Sequence, residues 1–304
     1  MAKKAPARKT STKKQHTPDY YPVQREIPLG VFDSAISATT VGDAGRILSI
    51  ANRRLMRYGM NYQIKIDLDP VNSIATAFQV EVFALTNNWD VQRAFALAKA
   101  TYDEAHADEL KASGQGQEAR WRDFRVAHDV TGGVELNPVR YDQQTLAATV
   151  TDDGEHIDST VDDGGSEKRF SWGAATGAST LSVLGEWQHA GRAATDQNLV
   201  STNAPYGGVN SDTMSDIEMV NLGSDGNQPP YSQTSHTDLF TKVGTLRYQP
   251  GPDGLQRLST GYFDAPCGLF VLKTTSTGNL PNGIISMTAK AGDYKGVAAE
   301  KMCQ

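Results

Sequence analysis

The sequence predicts a mainly β chain, an antiparallel sandwich or barrel in one domain with a single long helix. Three observations lead there. Two early runs, "MNYQIKIDLDP" and "TAFQVEVFALT", alternate apolar and polar residues with the period of a half-buried strand. From Val130 onward, short β-type runs are separated by Gly, Asn, Asp and Pro clusters. Only one stretch carries a clear helical period. A length of 304 residues suits one large all-β domain, and 38% hydrophobic content is enough for a core at this size.

The first eighteen residues, "MAKKAPARKTSTKKQHTP", hold six cations (Lys3, Lys4, Arg8, Lys9, Lys13 and Lys14) and no acid, although the whole chain has a net charge of −6. With no Phe, Tyr or Trp and no branched aliphatic, this arm cannot bury enough surface to offset its ordering entropy. Residues 1–18 are therefore expected to be disordered until bound. Order is expected near "YYPVQREIPLGVF", where Tyr20, Tyr21, Val23, Ile27, Leu29 and Phe32 are the first apolar anchors. A second basic cluster follows in "GRILSIANRRLMRYGM": Arg46, Arg53, Arg54 and Arg57. Read as a strand, it places Arg53 and Arg57 on one face with Leu55, and Arg54 on the other with Met56.

Next come the two alternating runs, expected to pair as antiparallel neighbours across "PVNSIA". From Asn88 to Ser113, the residues Val91, Ala94, Phe95, Ala98, Tyr102 and Ala105 fall three and four apart and form one apolar stripe. Asn87 or Asn88 caps this helix and Gly114 ends it. "EARWRDFRV" reads equally as more helix or as a strand. "TLAATVT", "RFSWGA", "TLSVLGEWQ", "DIEMVNL", "VGTLRYQ", "GLFVLKTT" and "GIISMTAKA" supply further strands. "PNGI" places Asn282-Gly283 at a hairpin turn between the last two. "TDDGEHIDSTVDDGG" reads as an acidic surface loop.

Catalytic signatures are missing: the sequence contains no G-x-S-x-G, no G-x-x-x-x-G-K-[ST], no H-E-x-x-H and no C-x-x-C. The six histidines are scattered. His156 beside Asp158 could be drawn as a catalytic pair, but the solvated-loop reading outweighs it. Asp152–Asp153 and Asp162–Asp163 suggest calcium, yet their spacing is not a ligand register, and a solvated acidic face is the stronger reading. Cys267 reads as a small buried packing residue. No metal or cofactor is expected, and no apolar run approaches a membrane span. The arm, a flexible polycation, is suited to following phosphates by releasing counterions, without reading sequence. Its Lys/Arg doublets also read as an import address, and a solubilising tail is the plain alternative.

A basic arm followed by a β-rich body resembles the coat proteins of circular, Rep-encoding single-stranded DNA viruses. The residues that carry the resemblance are "AKKAPARKTSTKK", "NRRLMRYGMNYQIKIDL" and "GYFDAPCGLFVLKTT…GIISMTAKAGDYKGV". The resemblance implies a viral jelly roll of two packed sheets over residues 19–304, with the helix at about 88–113 as an insertion. It also implies a self-assembling subunit of a non-enveloped icosahedral capsid. Lys3, Lys4, Arg8, Lys9, Lys13, Lys14, Arg53, Arg54 and Arg57 would lie on the genome. The implied partners are further copies of the chain, single-stranded nucleic acid (DNA in this family), host import receptors and a cell-surface receptor, with no membrane. The implied location is the virion, and the host nucleus during assembly. An unstructured arm does not read the 2′-hydroxyl, so the residues themselves leave DNA and RNA open, and with them an RNA-virus coat protein. A non-viral β-sandwich that binds carbohydrate or nucleic acid is the competing reading; an enzyme is a third.

Overall fold

A computed structural model describes residues 22–32, 39–70, 78–114, 119–130, 133–142, 144–145, 148–150, 156–162, 166–173, 176–177, 179–188, 239–248, 257–276 and 283–302. In chain order the elements are β1 (Glu26–Phe32), β2 (Thr39–Asp43), α1 (Ala44–Asn52), β3 (Met60–Pro70), β4 (Phe78–Leu85), α2 (Trp89–Ser113), β5 (Gly133–Glu135), β6 (Val139–Tyr141), β7 (Ala148–Val150), β8 (Thr160–Asp162), β9 (Glu167–Ser171), β10 (Thr180–Ser182), β11 (Phe240–Tyr248), β12 (Leu258–Ser259), β13 (Phe263–Ala265), a 3-10 turn at Pro266–Gly268, β14 (Leu269–Ser276), β15 (Gly283–Ala289) and β16 (Ala299–Lys301).

The fold is mainly β. One sheet runs β1-β15-β3-β12, with β13 and β16 also paired to β3; a second runs β11-β4-β14-β2-β5. Within them the pairs are antiparallel, except that β5 lies parallel to β2. Alternation explains what holds them together. Ile64, Ile66 and Leu68 of β3 and Met287 of β15 share one buried cluster with Val80 and Val82 of β4 and with Phe270 and Leu272 of β14. Two antiparallel sheets with a common apolar interior are compatible with a β-sandwich. Space there is tight: a Cβ on Gly42 of β2 would overlap the Phe270 ring.

The second sheet is also covered on its far side. Val41, Leu269 and Val271 pack in another buried cluster with Val91, Ala94 and Phe95 of α2, and with Phe124, Phe170 and Trp172. Burial on both faces explains why Leu269 to Leu272 is a continuous apolar run and not an alternating one. Asn88 caps α2 by accepting the Val91 N–H (3.0 Å), and Gly114 ends it with positive φ.

Several expectations need correction. β3 and β4 are not neighbours: they stand in opposite sheets, as do β14 and β15. Both short links therefore cross from sheet to sheet. Asn282 lies outside the described residues, and Gly283 opens β15 against Pro70 and Phe32. A true two-residue turn stands instead at Lys295-Gly296, where both residues have positive φ and Tyr294 and Val297 exchange backbone hydrogen bonds. The run "GRILSIANRRLMRYGM" is not a strand. Asp43 accepts the Arg46 N–H and starts α1, whose Ile47 and Leu48 are fully buried. "EARWRDFRV" forms neither helix nor strand where it is described. In "TLSVLGEWQ" only Thr180–Ser182 is strand, and 183–188 is helical. "DIEMVNL" lies outside the described residues.

Candidate nucleic-acid interface

Lys3, Lys4, Arg8, Lys9, Lys13 and Lys14 lie outside the described residues, but the place where the chain leaves them is defined. The Gln24 N–H donates to Asn52 Oδ1 (2.8 Å), and Asn52 Nδ2 donates back to the Gln24 carbonyl (3.0 Å). Asn52 is the last residue of α1. The chain coming from the arm is thereby fastened one residue from Arg53.

Arg53, Arg54 and Arg57 lie on the irregular segment between α1 and β3. Arg53 takes the left-handed C-cap position, φ 49°, and its N–H closes on the Ile50 and Ser49 carbonyls. Glycine is the usual occupant there, because a Cβ is strained in that conformation. Arg140 also reaches this helix end and donates to the Ile50 carbonyl, a cation against exposed carbonyls. Arg57 is half-exposed; its Nη1 donates to the Arg122 carbonyl (3.0 Å) and to Asp123 Oδ1 (3.1 Å). Its backbone N–H donates to the Tyr294 hydroxyl (3.1 Å).

Sequence reasoning missed a further cation. Lys295, on the turn beside Tyr294, donates to the Leu55 carbonyl and also has positive φ, 50°. Burial pushes its amine below the ordinary lysine value, and Arg54 and Arg57 push it further, with only Asp123 opposing. Positive charges are therefore crowded and partly desolvated where the chain emerges from the arm. A negatively charged group placed there would relieve that repulsion. Gly296 after Lys295 was a turn signal in the sequence, but nothing there placed that turn against Leu55.

Arg46 belongs elsewhere. It pairs with Glu135 on the wall of a polar cavity of about 140 Å³, which also contains His128, Asp129, His156, Asp158 and Arg169. His156 and Asp158 lie on a loop, as expected, but are partly buried on that wall. Burial raises the Asp158 carboxyl above the usual range, against the pull of Arg169 and Arg125. Burial likewise holds His128 below the ordinary imidazole value, although Asp158 and Asp129 oppose this. Ser171 donates to Asp129, and His128 Nδ1 accepts the Val130 N–H (3.0 Å). Ion pairs at 2.6 and 3.6 Å join Arg169 to Asp129 and Asp158 and tie β9 to the flanking segments. Cys267 is fully buried in the second core. Among the described residues no group of three or more His, Cys, Asp or Glu side chains could hold a metal ion, and no helix is long and apolar enough to cross a membrane. Compared with protein-family models, with curated proteins and with solved structures, the chain matches none.

Proposed function

We propose that this chain is a self-assembling capsid subunit of a non-enveloped icosahedral virus, enclosing single-stranded nucleic acid with its basic N-terminal arm on the genome. The order of strand pairing carries the reading. Counted along the chain, the principal strands are β1, β2, β3, β4, β11, the β12–β13 pair, β14 and β15. First pairs with eighth, second with seventh, third with sixth and fourth with fifth. This nesting is what a long antiparallel ribbon acquires when it is rolled into two sheets, which is the jelly roll of viral shells. In that frame α2 and the small strands β5 to β10 are an insertion between the fourth and fifth strands.

The same architecture serves lectins and cupins. The capsid reading is favoured over a sugar-binding module by charge: six cations on the arm, and Arg53, Arg54, Arg57 and Lys295 where the arm joins the body. Negative-stain microscopy of the purified chain tests the proposal, and uniform spheres are expected. Small discrete particles at every salt and protein concentration would sink it in favour of the binding module.

A further inference from the structure

The basic face continues past Arg57. That residue is on the wall of an open groove of about 560 Å³, whose charged lining is Arg57, Lys99, Arg120 and Arg122 against Asp103 and Asp123. Asp103 holds Lys99 and Arg122, and Asp123 holds Arg57. Arg120 has no acidic partner among the described residues. Its guanidinium stands over the Trp121 ring, 5.6 Å from the centroid, and Trp121 is 60% exposed. An indole left in water on an irregular segment, flanked on both sides by arginine, adds nothing to the core. It does offer a flat π-face bordered by positive charge.

We propose that Trp121 is a stacking platform for an unpaired base, with Arg120 and Arg57 on the neighbouring phosphates. This rests on the nucleic-acid reading of the basic face and adds a contact that charge alone does not make. Every base has a π-face, so the site tolerates any sequence, but it requires a base free of its own stack. The body then distinguishes single strands from duplex. The arm, without a large aromatic, does not.

The test compares full-length protein binding to labelled oligothymidylate and to an abasic oligomer of equal length and charge, at one salt concentration. The native chain should prefer the base-bearing strand by roughly five- to a hundredfold, the range for one stacked base. Trp121→Ala should bring the ratio near one, and Trp121→Phe should keep most of it. Arg120→Gln should weaken both ligands alike. A native ratio near one, or a ratio unchanged by Trp121→Ala, overturns the proposal. An unchanged ratio with failed assembly would assign Trp121 to a contact between copies. If neither oligomer binds at low salt, the nucleic-acid reading itself falls. Independently of any variant, a 5-iodouracil strand photocrosslinked to the native chain should be recovered on Trp121; crosslinks only elsewhere overturn the assignment.

Discussion

Arg53 and Lys295 are both cations held in left-handed backbone, φ 49° and 50°, beside the arm junction. A side chain there costs about 1–2 kcal/mol relative to an unstrained conformation. Strain of this kind persists where the side chain has a use that glycine cannot serve. Arg53→Gly should therefore stabilise the fold by about 0.5–1 kcal/mol in urea unfolding. It should also weaken single-strand binding and reduce the salt slope by about 0.7, one phosphate contact fewer. Stabilisation with undiminished binding would make Arg53 merely a poor cap. His128 carries the second prediction at this scale. Its folded pKa lies below the ordinary 6.5, so between the two values the unfolded chain binds more protons. Stability is then complete above pH 6.5 and falls as the pH drops toward the folded value. Asp158, raised by burial, acts in the opposite sense at lower pH, where the folded state takes up the proton first. His128→Asn keeps an acceptor for the Val130 N–H and should flatten the loss of melting temperature as the pH falls below 6.5. A native melting temperature independent of pH in that window would contradict this.

Among the elements, α2 was the most legible. Asn88 and Gly114 cap it where expected, and Val91, Ala94, Phe95 and Ala98 form its buried stripe. The stripe ends at Ala98, however, and Tyr102 and Ala105 are only partly buried. Phe95 packs against Phe124 and Trp172, and its ring leaves no room for a Cβ on Gly59. Phe95→Ala should cost about 3–5 kcal/mol, measured by denaturant unfolding. A loss below 1 kcal/mol would show that the second core collapses around the gap. By contrast α1 was misread, because a nine-residue segment is short for a helical period and Ile47 and Ile50 are β-branched. The Asp43 cap three residues before Arg46 was the clue. Strands were legible and their partners were not. Alternation says that β3 buries one face. It does not say whether β4 continues the same sheet or lies opposite, since both arrangements bury Val80 and Val82 equally. The Arg53–Arg57 cluster was visible in sequence, but Lys295, its neighbour across 238 residues from Arg57, was not.

At the scale of the whole molecule, residues 1–18 lie outside the described residues, and their sequence offers no Phe, Tyr, Trp or branched aliphatic side chain to a core. Removing those residues should leave the thermal unfolding of the body unchanged and reduce packaged nucleic acid more than shell formation. Assembly with an unaltered nucleic-acid content would remove the arm as the packaging element. Six arm cations should give a slope of log affinity against log salt of about −4 on a single strand, so a steeper slope in the full chain measures what the body contributes.

The nested pairing also dictates when the protein can finish folding. Among the described residues β1 has one ladder partner, β15, and Glu26 meets Thr288 across nearly the whole chain. β15 also stands between β1 and β3, so until the ribosome has released residues 283–289 the first sheet has a gap at its centre and two unpaired edges. Contacts of such sequence separation form slowly, because the loops must close before the pairing rewards them. A nascent chain is thus withheld from its final shape until β15 arrives, and a product truncated before it lacks the strand that joins β1 to the rest. Release of β15 is thereby a checkpoint on folding: only a chain that includes it can join β1 to β3 in one sheet.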